Sequence, residues 1–276
     1  MPQVNVSGIT LHYTTHGRGE PLLLVHSGWG LGVNGFHFQE KALAHDYHMI
    51  VPDRRGYGRS THAYGFDADF HWRHAEDLLE LLDALKIDRA RVWGHSDGAI
   101  IGAIMAILAP ARVRALVFEG GHLYNRKTES QVQMLQAYDD PHVLPEAGRV
   151  KLAQYHGVDY WPQVIRNWAG GWIELYQREG DLYHDRLAEI RSPVLIIHGV
   201  QDEHTPVSEI EELARRIPHA RLAIYPNGGH SLHDQRETRE ACTREVREFL
   251  LNSIGASARP SSEGRSKRFK GKVGPS

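Results

Sequence analysis

The chain has 276 residues, of which 41% are hydrophobic and 24% are charged, and this ordinary globular composition excludes a fully disordered protein. The 32 Lys and Arg residues face 34 Asp and Glu residues, and a net charge of −2 gives no global attraction to nucleic acid or to a membrane surface. The single cysteine, Cys242, excludes an intramolecular disulfide and a Cys-rich zinc site, and it fits a reducing compartment.

The start of the chain and its apolar runs bear on location. The first twenty residues lack the basic start and the apolar run of a signal peptide. The longest apolar stretch, residues 99–109, is shorter than the roughly 20 residues that a membrane-spanning helix needs. We therefore expect a soluble, cytoplasmic protein without a membrane or nucleic-acid partner, and the sequence leaves its oligomeric state open.

Short apolar runs alternate with longer amphipathic segments along most of the chain. The predicted strands cover residues 4–6, 11–15, 22–25, 48–52, 91–93, 115–118, 194–197 and 222–225. The predicted helices cover residues 69–85, 97–108, 207–217 and 237–251. This alternation predicts an α/β fold with a mostly parallel eight-stranded sheet and helices on both faces. The first strands are joined without a helix, and we expect them to form an antiparallel edge.

The alternation stops between residues 122 and 191, where helical patterns continue without a convincing strand. We interpret residues 122–191 as a small helical cap inserted into a core formed by residues 1–121 and 192–255. Such a cap would lie over the sheet edge and shape a pocket. Of its tryptophans, we expect Trp161 and Trp172 to pack the cap onto the core, and Trp168 to contact substrate.

The last segment, residues 256–276, differs in composition from the rest. It is rich in Ser, Gly and Pro and carries a net charge of +5, without apolar periodicity. Such a segment buries too little apolar surface to offset its ordering entropy, which predicts a disordered basic tail. We favour a solvated extension over a weak polyanion-binding arm.

A nucleophile motif lies between a predicted strand and a predicted helix. Residues 94–98 read GHSDG, which is the G-x-S-x-G pattern in its strand–turn–helix context. A sharp turn there would strain the backbone of Ser96 and project its hydroxyl at the carboxyl end of the sheet. The glycines at either side leave room for that turn. We therefore predict that Ser96 is the nucleophile.

A serine needs a base and an orienting acid, which follow it along the chain in this kind of fold. Asp202 lies just past the strand predicted at 194–197, and His230 lies just past the strand predicted at 222–225. Both are loop positions at strand carboxyl ends, where the sites of open α/β sheets assemble. We predict the triad Ser96, Asp202 and His230. Glu119, at the end of another strand, is the rival acid and otherwise a charge that lines the substrate pocket.

The oxyanion of an acyl-transfer reaction requires two backbone donors. The small-residue turn HSGWG at 26–30 follows a predicted strand, and we assign the first donor to the N–H of Gly28 and the second to the N–H of Asp97. His26 is expected to pack beneath this turn rather than to contact substrate.

Three histidine pairs have a spacing that suits metal ligands on one face of a helix. These pairs are His45 and His48, His71 and His74, and His230 and His233. Neither an HExxH motif nor an acid-rich cluster accompanies them, so we expect surface histidines and no metal site. We expect His233 to begin the helix that follows.

These residues resemble the α/β-hydrolase superfamily over nearly the whole of residues 1–255. The run DRRGYGRS at 53–60 is similar to its turn after the fourth strand. More narrowly, the elbow, the DADF segment at 67–70 and the cap segment 155–168 resemble the valacyclovir hydrolase (biphenyl hydrolase-like) group. The resemblance implies hydrolysis of small esters whose acyl part is an amino acid. The acid that binds the substrate amine would be the residue after the nucleophile, Asp97.

The leading hypothesis is a cofactor-free serine hydrolase that cleaves small carboxylic esters through an acyl-enzyme. Its candidate substrate-binding residues are Asp97, Glu119 and Trp168. A C–C bond hydrolase or a cofactor-free perhydrolase would keep the same triad. A ligand receptor on a hydrolase scaffold is the alternative of a different class. An epoxide hydrolase or dehalogenase is disfavoured, because Ser96 stands where those enzymes require an aspartate.

Overall fold

Eight strands form one sheet in a computed structural model that describes residues 2–33, 35–217 and 219–253. The strands are β1 (Gln3–Val6), β2 (Ile9–Gly17), β3 (Glu20–Val25), β4 (Tyr47–Pro52), β5 (Ala90–His95), β6 (Val113–Glu119), β7 (Val194–Gly199) and β8 (Arg221–Tyr225). The α-helices are α1 (His37–Ala42), α2 (Phe70–Ala84), α3 (Asp97–Leu108), α4 (Thr128–Asp139), α5 (Glu146–His156), α6 (Trp161–Gln177), α7 (Val207–Arg216) and α8 (Arg239–Asn252). The basic tail predicted at 256–276 lies outside the described residues.

The sheet has the order β1-β2-β4-β3-β5-β6-β7-β8, and the predicted fold class is confirmed. The two pairings that involve β2 are antiparallel, as expected for an edge built without helices. The other five pairings are parallel. The carboxyl ends of β5, β6, β7 and β8 therefore lie side by side at one edge of the sheet, which is where an active site of this fold assembles.

Each sheet face is covered by its own helices. In β3, Leu22 and Leu24 pack on the side of α8, whereas Leu23 and Val25 pack on the side of α2, α3 and α7. This alternation follows from the two-residue period of a strand. Helix α3 is buried along almost its whole length, which explains the apolar run that the sequence shows at 99–109. Helix α1 escaped prediction because it is only six residues long and lacks a side-chain cap at its start.

Helices α4, α5 and α6 lie between β6 and β7, in the segment expected to form the cap. Polar bonds fasten α5 and α6 to the loop that follows β4. The Tyr155 hydroxyl donates to Asp53, and His156 Nδ1 accepts from the N–H of Gly58 at 2.9 Å. Asn167 donates to the carbonyl of Ala63 at 2.7 Å. The loop after β4 is therefore the foundation on which this part of the insertion rests.

Neither α3 nor any other helix of the described residues is long and apolar enough to cross a membrane.

The approach of β5 to α3 generates a stability prediction. Replacing Gly94 by alanine would place a methyl group 2.0 Å from the carbonyl oxygen of Gly98, and a backbone atom of the elbow cannot move aside. We expect Gly94→Ala to lower the free energy of unfolding by about 4 kcal/mol or more, in the range of severe single substitutions. Urea denaturation followed by circular dichroism measures this change.

Gly148→Ala in α5 is the matched control, because the nearest atom to its added methyl group is 3.8 Å away. Alanine is favoured over glycine inside a helix by roughly 0.5–1 kcal/mol, so this variant should be slightly more stable than the unsubstituted protein. Equal stability of the two variants would contradict the close approach at Gly94.

Candidate active site

The turn between β5 and α3 holds Ser96 in a backbone conformation that L-residues rarely adopt. Its φ is 55° and its ψ is −121°. The turn is possible because glycines flank it: a Cβ on Gly98 would lie 2.0 Å from the carbonyl oxygen of Val25 at the end of β3. The N–H of Ser96 donates to the carbonyl of Glu119 at 2.8 Å, which ties the turn to β6. Strain held in this way is typical of functional positions.

Asp202 and His230 meet at the carboxyl ends of β7 and β8. His230 Nδ1 lies 2.9 Å from Asp202 Oδ2. The other oxygen of Asp202 accepts from the N–H groups of His204 at 2.8 Å and Thr205 at 3.2 Å. Hydrogen bonds to both oxygens thereby fix the orientation of the Asp202 carboxylate. The His230 imidazole is held with Nδ1 toward this acid and Nε2 away from it.

The electrostatics of this pair favour an ionised acid. Burial alone would raise the pKa of the Asp202 carboxyl, but the bond from His230 and the N–H of His204 outweigh burial and hold that pKa well below its usual range. Burial lowers the pKa of the neighbouring His198 and His204 imidazoles, which favours their neutral forms near pH 7. Asp202 is therefore held as a carboxylate whose Oδ2 faces His230 Nδ1.

The loop of His230 lies against the nucleophile turn. His95, the residue before Ser96, packs against His230 with ring centroids 5.0 Å apart and ring planes tilted by 58°, and its Nε2 lies 3.1 Å from the carbonyl oxygen of His230. In the described chain the Ser96 hydroxyl makes no hydrogen bond to His230. Such bonds are commonly long in free enzymes and shorten when substrate binds. The structure thus brings all three predicted triad positions to one edge of the sheet.

Glu119 does not occupy the position expected for a pocket-lining charge. It is fully buried, and its two oxygens accept from Trp93 Nε1 at 2.8 Å, His233 Nδ1 at 2.8 Å and His233 N at 3.0 Å. A carboxylate satisfied in this way has no free face for substrate. The expectation that Glu119 binds substrate is therefore wrong, because its hydrogen bonds to Trp93 and His233 point its carboxylate toward the core.

His233 also departs from expectation. It lies in the loop before α8, which begins only at Arg239, and it is fully buried against Glu119 and the Phe36 ring. The sequence suggested a helix start, but the bond to Glu119 holds the chain in a turn. His95, Glu119 and His233 each place a ring nitrogen or a carboxylate oxygen, atoms that could bind a metal, within 4.8 Å of one another. The carboxylate of this set is already occupied by protein donors, which favours a structural network over a metal site.

The second histidine pair predicted to lie at the surface is instead buried. His71 and His74 are each 1% exposed on the inner side of α2. The Arg54 guanidinium donates to His74 Nδ1 at 2.8 Å. Burial and the Arg54 charge together lower the pKa of His74 well below its usual value, which favours a neutral acceptor near pH 7. The expectation failed because a histidine can satisfy a buried cation as well as it can face water.

Asp97 lies in the first turn of α3 and is 1% exposed. Its Oδ1 is 3.6 Å from His71 Nε2, and its Oδ2 is a buried oxygen without a hydrogen-bond partner in the described chain. Burial is the largest cause that lowers the pKa of His71, which favours its neutral form near pH 7. Asp97 is therefore a buried carboxylate that no cation of the described protein neutralises at contact distance.

The turn after β3 carries Gly28 beneath the insertion. A Cβ on Gly28 would lie 2.1 Å from Trp168 Nε1, so only glycine allows the tryptophan to lie this close. Trp168 stacks edge-on against Trp29 with centroids 6.0 Å apart, and its Nε1 is a buried donor without a partner in the described chain. His26 is fully buried beneath the turn and lies 2.7 Å from the carbonyl oxygen of Ser27, as expected for a packing residue.

The two tryptophans expected to pack are both buried. Trp161 lies in an apolar cluster within the insertion, and Trp172 lies in the main core with the rings of His71 and His122 at 5.3 Å. The indole N–H of Trp172 is also buried without a partner in the described chain.

A groove of about 760 Å³, which sequence reasoning did not indicate, approaches His230 only through His204, and neither Ser96 nor His230 lines it. Its wall includes His204, whose ring lies 4.7 Å from the His230 ring, together with charged residues from the start of α4 and the end of α7. A groove formed by loops that are distant in sequence has no local signature.

Comparison with known proteins places these features in a family. The family described as alpha/beta hydrolase fold matches residues 21–145 and 125–237. The serine hydrolase BPHL of Mus musculus is 32% identical over 235 residues, which cover 84% of this chain and 80% of that protein. The resemblance inferred from the elbow and from segment 155–168 is thereby confirmed.

Solved structures agree with this placement. A hydrolase from Pseudomonas aeruginosa is 28% identical with a TM-score of 0.70, and the match covers 90% of this chain and 97% of that one. An enol-lactonase from Burkholderia xenovorans is 24% identical with a TM-score of 0.72, and the match covers 91% of this chain and all of that one. At that identity the likeness to the lactonase shows the fold alone.

Substitutions of the two buried acids, Asp202 and Glu119, should have different effects, one on catalysis and the other on stability. Asp202→Asn should lower kcat by about 10⁴, because the imidazole loses the acceptor that orients it. Glu119→Gln should instead lower stability. Burial alone would raise the pKa of Glu119, but the interaction with His233 outweighs burial and lowers this pKa from 4.5 to about 2. The stability linked to its charge is therefore present above about pH 4.5 and is lost as the pH falls toward 2.

Thermal unfolding at several pH values and steady-state kinetics at pH 7 measure these effects. The difference in Tm between the unsubstituted protein and Glu119→Gln should narrow below pH 4.5. A loss of kcat in Glu119→Gln much greater than that in Asp202→Asn would overturn Asp202 as the triad acid.

Proposed function

Because the chain belongs to the alpha/beta hydrolase fold family, we propose that it is a serine hydrolase that cleaves small carboxylic esters through an acyl-enzyme. The observation that carries the proposal is the Asp202–His230 bond of 2.9 Å beside a serine held at φ 55°. An oriented base and a strained, forward-projecting nucleophile are what acyl transfer requires.

The chemistry proceeds in two halves. His230 Nε2 takes the hydroxyl proton of Ser96 as the oxygen attacks the ester carbonyl, and Asp202 stabilises the imidazolium at Nδ1. The oxyanion is held by the N–H groups of Gly28 and Asp97. His230 then gives its proton to the leaving alcohol, which departs and leaves an acyl group on Ser96. Water attacks this acyl group with His230 again as the base, releasing the acid and restoring the serine.

The proposed substrate class is an ester whose acyl part carries an amine. Asp97 is a buried carboxylate whose Oδ2 has no partner in the described chain, and an unpaired buried charge is unfavourable. It also lies next to the nucleophile, where the oxyanion develops, and two like charges there oppose each other. A substrate ammonium between them satisfies both charges. This supports an amino-acyl ester over a neutral one.

The rest of the site supports separate places for the two parts of the ester. Trp168 lies over Gly28 with its free indole N–H, and we propose that it contacts the acyl part and limits its size. The groove beside His204 is the place for the leaving alcohol, because it lies on the His230 side and is lined by polar side chains. Its open, charged wall favours a hydrophilic alcohol.

A fluorophosphonate probe tests the hydrolase assignment directly. The probe should attach covalently to Ser96 in the folded protein, as mapped by mass spectrometry, and Ser96→Ala should abolish this labelling. Ser192→Ala is the matched control, since Ser192 is a buried serine that precedes β7 at the opposite end of the sheet. Folded protein that is not labelled at Ser96 would refute the hydrolase and favour a ligand receptor built on the same scaffold.

Asp97 tests the substrate class. Asp97→Asn should lower kcat/KM for an aminoacyl p-nitrophenyl ester by about 10–100-fold more than for the des-amino analogue, because a charge-assisted bond contributes roughly 1.5–3 kcal/mol. Asp88→Asn, at an exposed position, is the matched control and should leave both substrates unchanged. Equal losses on the two esters would mean that Asp97 only supports the turn, and the amino-ester assignment would fall.

A further inference from the structure

Arg54 is a buried cation for which the described residues offer no carboxylate partner. It is 1% exposed, yet no ion pair joins it to an acid within 4 Å in the described parts of the chain. A guanidinium remains protonated in proteins, so its charge must be balanced by dipoles. A buried cation is unfavourable unless its donors are satisfied, which makes its acceptors informative.

Two of the Arg54 nitrogens have well-defined acceptors. Nη1 donates to His74 Nδ1 at 2.8 Å, and Nη2 donates to the carbonyl oxygen of Ser27 at 2.7 Å. The guanidinium carbon also lies 4.6 Å from the centroid of the Tyr57 ring. The bond to Ser27 reaches the turn that carries the oxyanion donor, and the guanidinium also contacts His26 in that turn, with Nε and Nη2 at 3.4 Å and 3.3 Å from His26 Nδ1.

The Ser27 carbonyl accepts from two donors of different kinds. Arg54 Nη2 donates to it at 2.7 Å, and the N–H of Gly30 donates to the same oxygen at 3.2 Å. The His26 ring lies in the same cluster, with its Nδ1 2.7 Å from Ser27 O and 3.3 Å from Arg54 Nη2. One of the two donors on this oxygen therefore carries a full charge.

The peptide that contains this carbonyl also contains the N–H of Gly28. In a peptide unit the C=O and the N–H share one conjugated system, so charge drawn toward the oxygen leaves the N–H more positive. Hydrogen bonds polarise their neighbours in this way, and more strongly in a dry interior. The same bonds fix the plane of the peptide and therefore the direction of the N–H.

We propose that Arg54 is a positioning residue for the oxyanion site, and that its guanidinium polarises and orients the Ser27–Gly28 peptide so that the Gly28 N–H binds the developing negative charge more strongly. The inference rests on the proposed function in that Gly28 is taken as an oxyanion donor. The polarised N–H is already present in the free protein, but it stabilises the full negative charge of the transition state more than the neutral carbonyl of the bound ester.

Arg54→Met tests the inference, because it removes the charge and the fork but keeps most of the side-chain length. Loss of a whole oxyanion donor lowers kcat by about 10²–10³, so weakening one donor should lower kcat by roughly 10–100-fold with little change in KM. The Kd of a boronic acid that forms a tetrahedral adduct with Ser96 should rise by the same factor. In a ¹⁵N–¹H spectrum the Gly28 amide should shift upfield, a change that does not depend on turnover.

Arg91→Met is the matched control. Like Arg54, Arg91 is 1% exposed, donates to a backbone carbonyl, that of Leu250, at 3.3 Å and lies over a tyrosine ring, that of Tyr47, at 5.6 Å. Unlike Arg54, it also forms an ion pair, with Glu20 at 3.3 Å. It sits near the amino end of β5, away from the site. Its loss should lower Tm but leave kcat and the boronate Kd unchanged.

Arg54→Lys extends the test if Arg54→Met does not fold, because it keeps the charge but lacks the fork. Its losses in kcat and in boronate affinity should be smaller than those of Arg54→Met and equal to each other. A folded Arg54 variant with an unchanged Gly28 amide, or with a loss of kcat unmatched in boronate affinity, overturns the inference. Ester turnover and Ser96 labelling of the unsubstituted protein test the proposed function separately.

Discussion

The strained turn at Ser96 is the constraint on which the site depends. It holds only because backbone approaches backbone, with Gly94 against Gly98 and Gly98 against the end of β3 at Val25. The parallel sheet supplies the force that maintains it, since β5 is paired on both sides along its length. The strain energy of one residue, of order 1–3 kcal/mol, is small compared with the free energy gained by burying α3, the helix that follows. The rigid sheet therefore fixes the direction of the Ser96 hydroxyl.

Two opposite charges are buried behind this turn, and neutral side chains separate them. Arg54 contacts His74, while Asp97 lies 3.6 Å from His71, one turn away on the same helix, α2. Burial is the first cause that lowers the pKa of both histidines, which favours neutral forms that can act as dipoles near pH 7. A direct Arg–Asp pair would neutralise both charges. Kept apart, each charge remains available for the role proposed for it, Arg54 for the oxyanion turn and Asp97 for an incoming ammonium.

The sequence predicts the sheet well because its strands are continuous apolar runs, and it predicts the positions of Ser96, Asp202 and His230 because strand ends are local features. What it does not predict is pairing across the core. The bond from His233 to Glu119 joins residues 114 positions apart. Local sequence alone predicts a helix start at His233 and a pocket-lining charge at Glu119, because neither stretch of sequence shows its distant partner. The burial of Arg54 was missed for the same reason, since its acceptors lie 20 and 27 residues away.

The site contains two imidazole–carboxylate pairs, and their exposure distinguishes them more clearly than their hydrogen bonds do. The lengths are nearly equal, 2.9 Å for His230–Asp202 and 2.8 Å for His233–Glu119. In the first pair, however, the histidine side chain is 19% exposed over a fully buried acid, whereas both members of the second pair are fully buried. A general base must present its second nitrogen to a reacting group. Of the two histidines, His230 is the one with an exposed ring, and the inner pair instead fixes the loop that carries His230.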